Sequence, residues 1–153
     1  MRSTYRVLAY IVAAEVAIQA AAVAYGLFGL GKWIEDGGTL NKAVFDDESA
    51  TFTGIVGLTI HGINGMMVIP IIALVLLVVS FFAKVRGGVK WAGAILALVV
   101  IQVLLGSFAH ETPQLGPLHG LNALILFSVA VMAGRRVGSA HTKGASAPQE
   151  MAV

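Results

Sequence analysis

The chain has 153 residues, of which 58% are apolar and 12% charged, with a formal net charge of +2. A soluble globular domain carries about 45–50% apolar and about 25% charged residues, so this composition excludes one, and with it the nucleic-acid partner that a basic chain would otherwise suggest. The absence of cysteine excludes disulfides, thiolate zinc sites, iron–sulfur clusters and covalent c-type haem attachment, leaving His, Met, Asn and carboxylates as the available ligands.

Four apolar runs, each long enough to cross a hydrocarbon layer of roughly 30 Å, take up most of the chain. They predict an all-α integral membrane protein, an antiparallel four-helix bundle over residues 1–137 followed by a disordered tail at 138–153. The first helix is expected over about 7–30, where Ala13, Ala17, Ala20 and Ala24 recur at helical spacing, as in tightly packed membrane helices. Its alternative is a cleaved signal peptide, with residues 1–6 as the basic start and Ala22-Val23-Ala24 as the cleavage site. The run is too long for that and, with Glu15 and Gln19, too polar at its centre. An acidic loop over 31–53 holds Asp46-Asp47-Glu48, read as solvated charge in preference to a weak calcium site. The second helix, 55–83, contains Pro70, which removes one backbone hydrogen bond and should kink it about a turn upstream. Residues 91–108 and 115–134 complete the set.

Orientation follows from the basic residues. Arg2, Arg6, Lys84, Arg86, Lys90, Arg135, Arg136 and Lys143 fall on one side, while Lys32 and Lys42 share the other with the acidic loop. The positive-inside rule then makes both termini cytoplasmic, in what we read as the inner membrane of a bacterial cell.

The most informative feature is a repeat. His61-Gly62-Ile63-Asn64-Gly65-Met66 opens the second helix, and His119-Gly120-Leu121-Asn122-Ala123-Leu124 opens the fourth. A second echo pairs Ile18-Gln19 in the first helix with Ile101-Gln102 in the third, which implies two helical hairpins related by a pseudo-twofold axis. His61 and His119 then face each other from helices running in the same direction. Two neutral imidazoles so placed can clamp a planar macrocycle as axial ligands of its iron, which predicts a noncovalent b-type haem. Gly62 and Gly120 would let the ring approach the backbone, and Asn64 and Asn122, one turn on, would bond a propionate or orient the ring. One offset stands against this pairing: His61 lies 23 residues before Lys84 but His119 only 16 before Arg135, a difference of roughly 10 Å of helix. Tilt, the Pro70 kink or a cytoplasmic extension of the second helix must absorb it.

The stretch Ile101-Gln102-Val103-Leu104-Leu105-Gly106, followed by Thr112-Pro113 and then by His119 at the start of the next helix, resembles one four-helix half of heme A synthase. The chain also resembles an uncharacterised family of small four-helix bacterial membrane proteins. The resemblance to the synthase implies that His61 and His119 are haem ligands, with a Gln-containing third helix. It also marks a departure. The synthase has a Glu three residues before the ligand of its second helix and an Arg directly after it, where this chain has Leu58 and Gly62. Heme A synthesis is therefore not expected, and the reading is haem binding with electron transfer, through a quinone or a membrane redox complex, or a haem-linked accessory role.

Two other readings use the same residues differently. In a cofactor-free accessory subunit of a larger membrane complex, the His and Asn side chains would bond between helices. In a small proton-coupled transporter, Glu15, Gln19 and Gln102 would form a polar path, with a homo-oligomer supplying the interior room. Glu15 carries weight in either case, because an ionised carboxylate at mid-membrane costs at least about 2.5 kcal/mol. Gln19, one turn away, and Gln102, across the bundle, are its expected partners. His110 and Glu111 fall in the short loop before the fourth helix, beside His119 or simply in solvent. Met66, Met67 and Met132 are read as packing residues.

Overall fold

The computed structural model describes residues 1–42 and 51–137; Asp46, Asp47, Glu48, His141, Lys143 and the segment from 138 onward lie outside the described residues. Within them the chain forms four long helices, α1 (Arg2–Glu35), α2 (Ile55–Phe82), α3 (Gly88–Ala109) and α4 (Leu115–Arg135), and no strand. Each is long and apolar enough to cross a membrane. Exposed apolar side chains such as Ile11, Ile18, Leu74, Phe81, Leu104 and Leu124 run along all four, the surface that a lipid environment requires.

α1 outruns the 7–30 expectation by five residues at each end. Polar residues mark where an apolar run stops, not where the backbone stops being helical. Lys32 reaches Asp36 one turn on, and that pair carries the helix through part of the segment expected to be loop. α2 changes form along its length. Residues Ile55–Ile63 and Ile69–Phe82 are α-helical, and Asn64–Val68 between them is one wide π turn. Pro70 lies just beyond it, so the backbone bond that proline cannot make is accommodated by a π bulge in the turn upstream.

α1 and α2 approach closely through glycine. Gly54 opens α2 with φ +97°, and a Cβ there would meet Tyr25 O at 2.5 Å. A Cβ on Gly57 would lie 2.3 Å from Ala22 O, and one on Gly26 would collide with Leu58. The two backbones are thus in contact, as small residues permit between membrane helices.

The four helices form a ring in which α1 packs on α2 and α4, and α3 on α2 and α4. The π turn divides α2 by partner as well as by shape: Ile55–Ile63 packs chiefly on α1, whereas Ile69–Phe82 packs on both α1 and α3. The solid core lies at the second level. Tyr5, Ala9, Val12 and Ala13 meet Ile69, Ala73 and Leu76, with Ala92, Ile95 and Val99 and with Leu126, Ala130 and Ala133. At that end Arg2 Nη2 bonds Lys84 O at 3.3 Å, Tyr5 Oη bonds Gly88 O at 3.2 Å, and Arg136 lies 4.5 Å from the centre of the Trp91 ring.

These contacts account for the offset between the two His counts. The end of α4 meets α1 at Tyr10, whose ring lies against Gly134, while the chain leaving α2 meets α1 at Arg2. The chain leaving α2 thus contacts α1 nearer its start than Gly134 of α4 does, in the direction of the surplus residues of α2. Gly57→Val is expected to force α1 and α2 apart and to cost about 1–3 kcal/mol of stability. Thermal unfolding in mild detergent reads the loss, with Gly93→Ala, where a Cβ meets nothing within 4 Å, leaving the midpoint unchanged.

Candidate functional site

Above the solid core the bundle is hollow. Side chains from all four helices line a half-open cavity of about 910 Å³, among them Gln19, His61, Gln102, Gly106, His110 and His119. Its walls hold few bulky groups at the points of closest approach. Ala17 and Ala20 come from α1, Gly62 and Gly65 from α2, Gly106 from α3, and Gly116, Gly120 and Ala123 from α4. The stripe of small residues in α1 thus divides its work: Ala13 packs in the core, and Ala17 and Ala20 shape the cavity. Gly62 and Gly120, the residues after each His, face open space, with no atom within 4 Å of where a Cβ would stand.

The structure brings the repeated residues together. The His61 and His119 rings lie with their centres 6.1 Å apart and their planes inclined at 61°. Each is held by the helix preceding its own in the chain. His119 Nδ1 meets Gln102 O at 3.1 Å, and His61 Nδ1 meets Gln19 O at 3.3 Å. A carbonyl only accepts, so the bond to Gln102 O places the proton of His119 on Nδ1 and leaves the lone pair on Nε2. His61 has a second neighbour at Nδ1, because the Gln19 side-chain nitrogen lies 2.8 Å away when its amide is oriented to satisfy its surroundings. In that orientation the nitrogen also donates to His61 O at 3.0 Å, and the oxygen accepts from Asn64 Nδ2 at 2.9 Å and from the Gly65 N–H at 3.3 Å. Gln19 therefore lets either nitrogen of His61 carry the proton, whereas Gln102 favours one.

The two Asn side chains have different partners. Asn122 is buried and donates to Leu98 O at 3.0 Å and to Gln102 Oε1 at 2.7 Å. Asn64 donates to Glu15 Oε2 at 2.7 Å. Both are turned to the neighbouring helix, where they meet the glutamine-bearing helices. The expected partners of Glu15 are corrected, since it is bonded to Asn64 and to neither Gln19 nor Gln102.

His110 lines the mouth of the cavity, and Glu111 is exposed. Met66 lines the cavity wall, while Met67 and Met132 are exposed along their helices. Leu58, the position at which the synthase carries its Glu, lies against Gly26 of α1. Sequence reasoning assigned no role to Gly106, whose missing side chain is what admits the His119 ring: a Cβ there would stand 3.0 Å from Cε1 and 3.2 Å from Nδ1. Its spacing of one turn from Gln102 was the available signal, since residues four apart share a helix face.

No family model, no curated protein and no solved structure matches this chain.

Gly106→Val is expected to push the His119 ring out of its place and break the bond to Gln102 O. Nitrogen NMR of histidine-labelled protein in micelles reads this directly. The wild-type His119 should give one protonated and one lone-pair ring nitrogen, and the variant should give averaged signals; an unchanged spectrum would show that Gly106 does not govern the ring's placement.

Proposed function

We propose that this chain is a multi-pass protein of the bacterial inner membrane, an antiparallel bundle with both termini cytoplasmic, that binds a b-type haem between His61 and His119 and serves electron transfer or a haem-linked accessory role. The carrying observation is the pair of imidazoles on the wall of one cavity, each with its Nδ1 at a backbone carbonyl. Metal-bound histidine commonly donates its other ring N–H to such a carbonyl, which orients the ring and raises the basicity of the ligating nitrogen.

The residues present fit the group on three counts. Two imidazoles bound to opposite faces of one metal ion would have ring centres roughly 6 Å apart, twice the sum of a metal–nitrogen bond of about 2.0–2.1 Å and the half-width of the ring. The observed separation is 6.1 Å. Glycine follows each His on the open side, so a flat macrocycle would meet backbone there and no side chain. The cavity walls are mainly apolar, which suits a porphyrin. Haem bound there supplies one-electron chemistry. The chain's own part is to hold both imidazoles by Gln19 and Gln102 and to fix those glutamines by Asn64 and Asn122. The basic residues at the end where Arg2, Lys84 and Arg136 gather support a cytoplasmic assignment for that end. The likeness to one half of heme A synthase supports the ligand assignment, and Leu58 in place of the synthase's Glu argues against that enzyme's oxidative step. A quinone or a membrane redox complex is the natural electron partner.

A second reading is favoured by a specific observation. Among the described residues no buried side-chain nitrogen or oxygen lacks a hydrogen-bond partner, so the polar cluster is complete as a helix-to-helix tie, as a cofactor-free accessory subunit would need.

An absorption spectrum separates the two. Protein purified in mild detergent from haem-supplemented cells is expected to show a Soret band that shifts on dithionite reduction, a sharp reduced α-band, and close to one haem per chain. His61→Ala combined with His119→Ala should abolish all three. A colourless protein that also fails to take up added hemin would overturn the haem reading in favour of the accessory subunit.

A further inference from the structure

The two halves of the site share three residue pairs and differ in charge at the position one turn before each glutamine. Gln19 and Gln102, His61 and His119, and Asn64 and Asn122 correspond pairwise, and each Asn donates to the helix that carries the Gln. Four residues before Gln19, on the same face of α1, stands Glu15; four residues before Gln102 stands Leu98. Asn122 accordingly ends on a backbone carbonyl, Leu98 O at 3.0 Å, whereas Asn64 ends on a carboxylate, Glu15 Oε2 at 2.7 Å. A carbonyl cannot change charge with pH. A carboxylate can.

From Glu15 a chain of polar groups leads to one imidazole: Glu15 Oε2 accepts from Asn64 Nδ2 at 2.7 Å, and Asn64 stands one turn from His61, whose Nδ1 lies 3.3 Å from Gln19 O. The other titratable side chains facing this region are few. α1 brings Tyr10 and Tyr25, α2 brings His61, α4 brings His119, and α3 brings none between Lys90 in its first turn and His110 beyond its end; the remaining Arg and Lys of the bundle lie at its termini and turns. In a medium with little water, a charge change at Glu15 is therefore felt at the His61 side with little compensation from neighbouring ions.

We infer that Glu15 couples proton uptake to electron uptake at the site between His61 and His119, an inference that rests on the haem reading above. The balance is one electron to the haem iron, ferric to ferrous, and one proton to the Glu15 carboxylate, which becomes the neutral acid. A quinol supplies both, since each of its oxidation steps releases an electron and a proton. Proton uptake at Glu15 cancels the charge that the electron brings into the membrane interior. Asn64 and Gln19 are positioning residues that hold the carboxylate in register with His61.

The test is the midpoint potential of the haem-loaded protein measured against pH, with redox mediators and the reduced α-band as the readout. Wild type is expected to fall with rising pH over the range in which Glu15 ionises, approaching a tenfold shift in the reduction equilibrium per pH unit, about 59 mV for one electron. Glu15→Gln should take up haem at the wild-type ratio and show a flat profile at the wild type's low-pH value. Asn64→Leu keeps the carboxylate and removes its link, and should lower the slope; it carries the test should Glu15→Gln fail to fold. A wild-type slope that persists in Glu15→Gln places the proton elsewhere, at His110 or a haem propionate, and overturns the inference while leaving haem binding intact. A colourless wild-type protein instead overturns the haem reading itself, so the two failures are distinct.

Discussion

A polar side chain in the middle of a membrane helix must find its partner inside the protein, because the surrounding lipid offers none. Two glutamines meet that demand here, and the rest of the site is arranged around them. Gln19 engages His61 and Asn64 through its backbone carbonyl and its amide, which ties α1 to α2. Gln102 does the same for His119 and Asn122, which ties α3 to α4. Each tie joins helices that are consecutive in the chain, so each hairpin holds its own histidine before the two hairpins meet. The hairpins then join through apolar contacts of α1 with α4 and of α3 with the second half of α2. Ring placement is thus a local property of each hairpin, and the separation of the rings is a property of the whole bundle.

The bundle has a solid half and a hollow half. Toward the α2–α3 turn the facing positions are filled by Tyr5, Leu76, Ile95 and Leu126, all fully buried or nearly so. Beyond the level of the glutamines, alanine or glycine lines the cavity on every helix, beside Val23, Val103 and the two His rings. Close approach of α1 and α2 at Gly26, Gly54 and Gly57 does not close this space, because it draws the first part of α2 toward α1 and leaves α3 without an equal contact there. The π turn at Asn64–Val68 is where α2 passes from one regime to the other. A bulge that re-aims a helix at the edge of a cavity is a common place for such turns.

Much of this is legible in the sequence because its signals are categorical. Four apolar runs of membrane-spanning length and a six-residue echo require no knowledge of packing, and the helix expectations of 55–83, 91–108 and 115–134 differ from the structure by one to three residues at an end. α1 is the exception, since its extra turns are polar and carry no hydropathy signal. What the sequence does not carry is direction. Asn64 and Asn122 share a face with their histidines by spacing alone, yet a helix face spans about a third of a circle. Whether an amide points into the cavity or to the next helix depends on backbone contacts that no single-helix pattern encodes. Pro70 illustrates the same limit: its missing N–H announces a disturbance one turn earlier, but choosing a π bulge over a simple kink depends on which partners α2 meets on either side.

The internal duplication makes differences between the halves more informative than similarities. Residues kept in both halves are explained by shared architecture, whatever the protein does, because either hairpin needs its tie. Leu98 shows that the tie needs no carboxylate, since Asn122 is satisfied by a backbone oxygen at the same level. Glu15 is therefore not required by the tie, and a half-buried carboxylate within a membrane helix still carries the cost of taking charge out of water, which its bond to Asn64 offsets in part. The same contrast separates His61 from His119. Gln102 presents its ring partner with an acceptor, and Gln19 presents both an acceptor and a donor. The asymmetry in charge and the asymmetry in imidazole surroundings fall on the same half of the molecule, joined by Asn64.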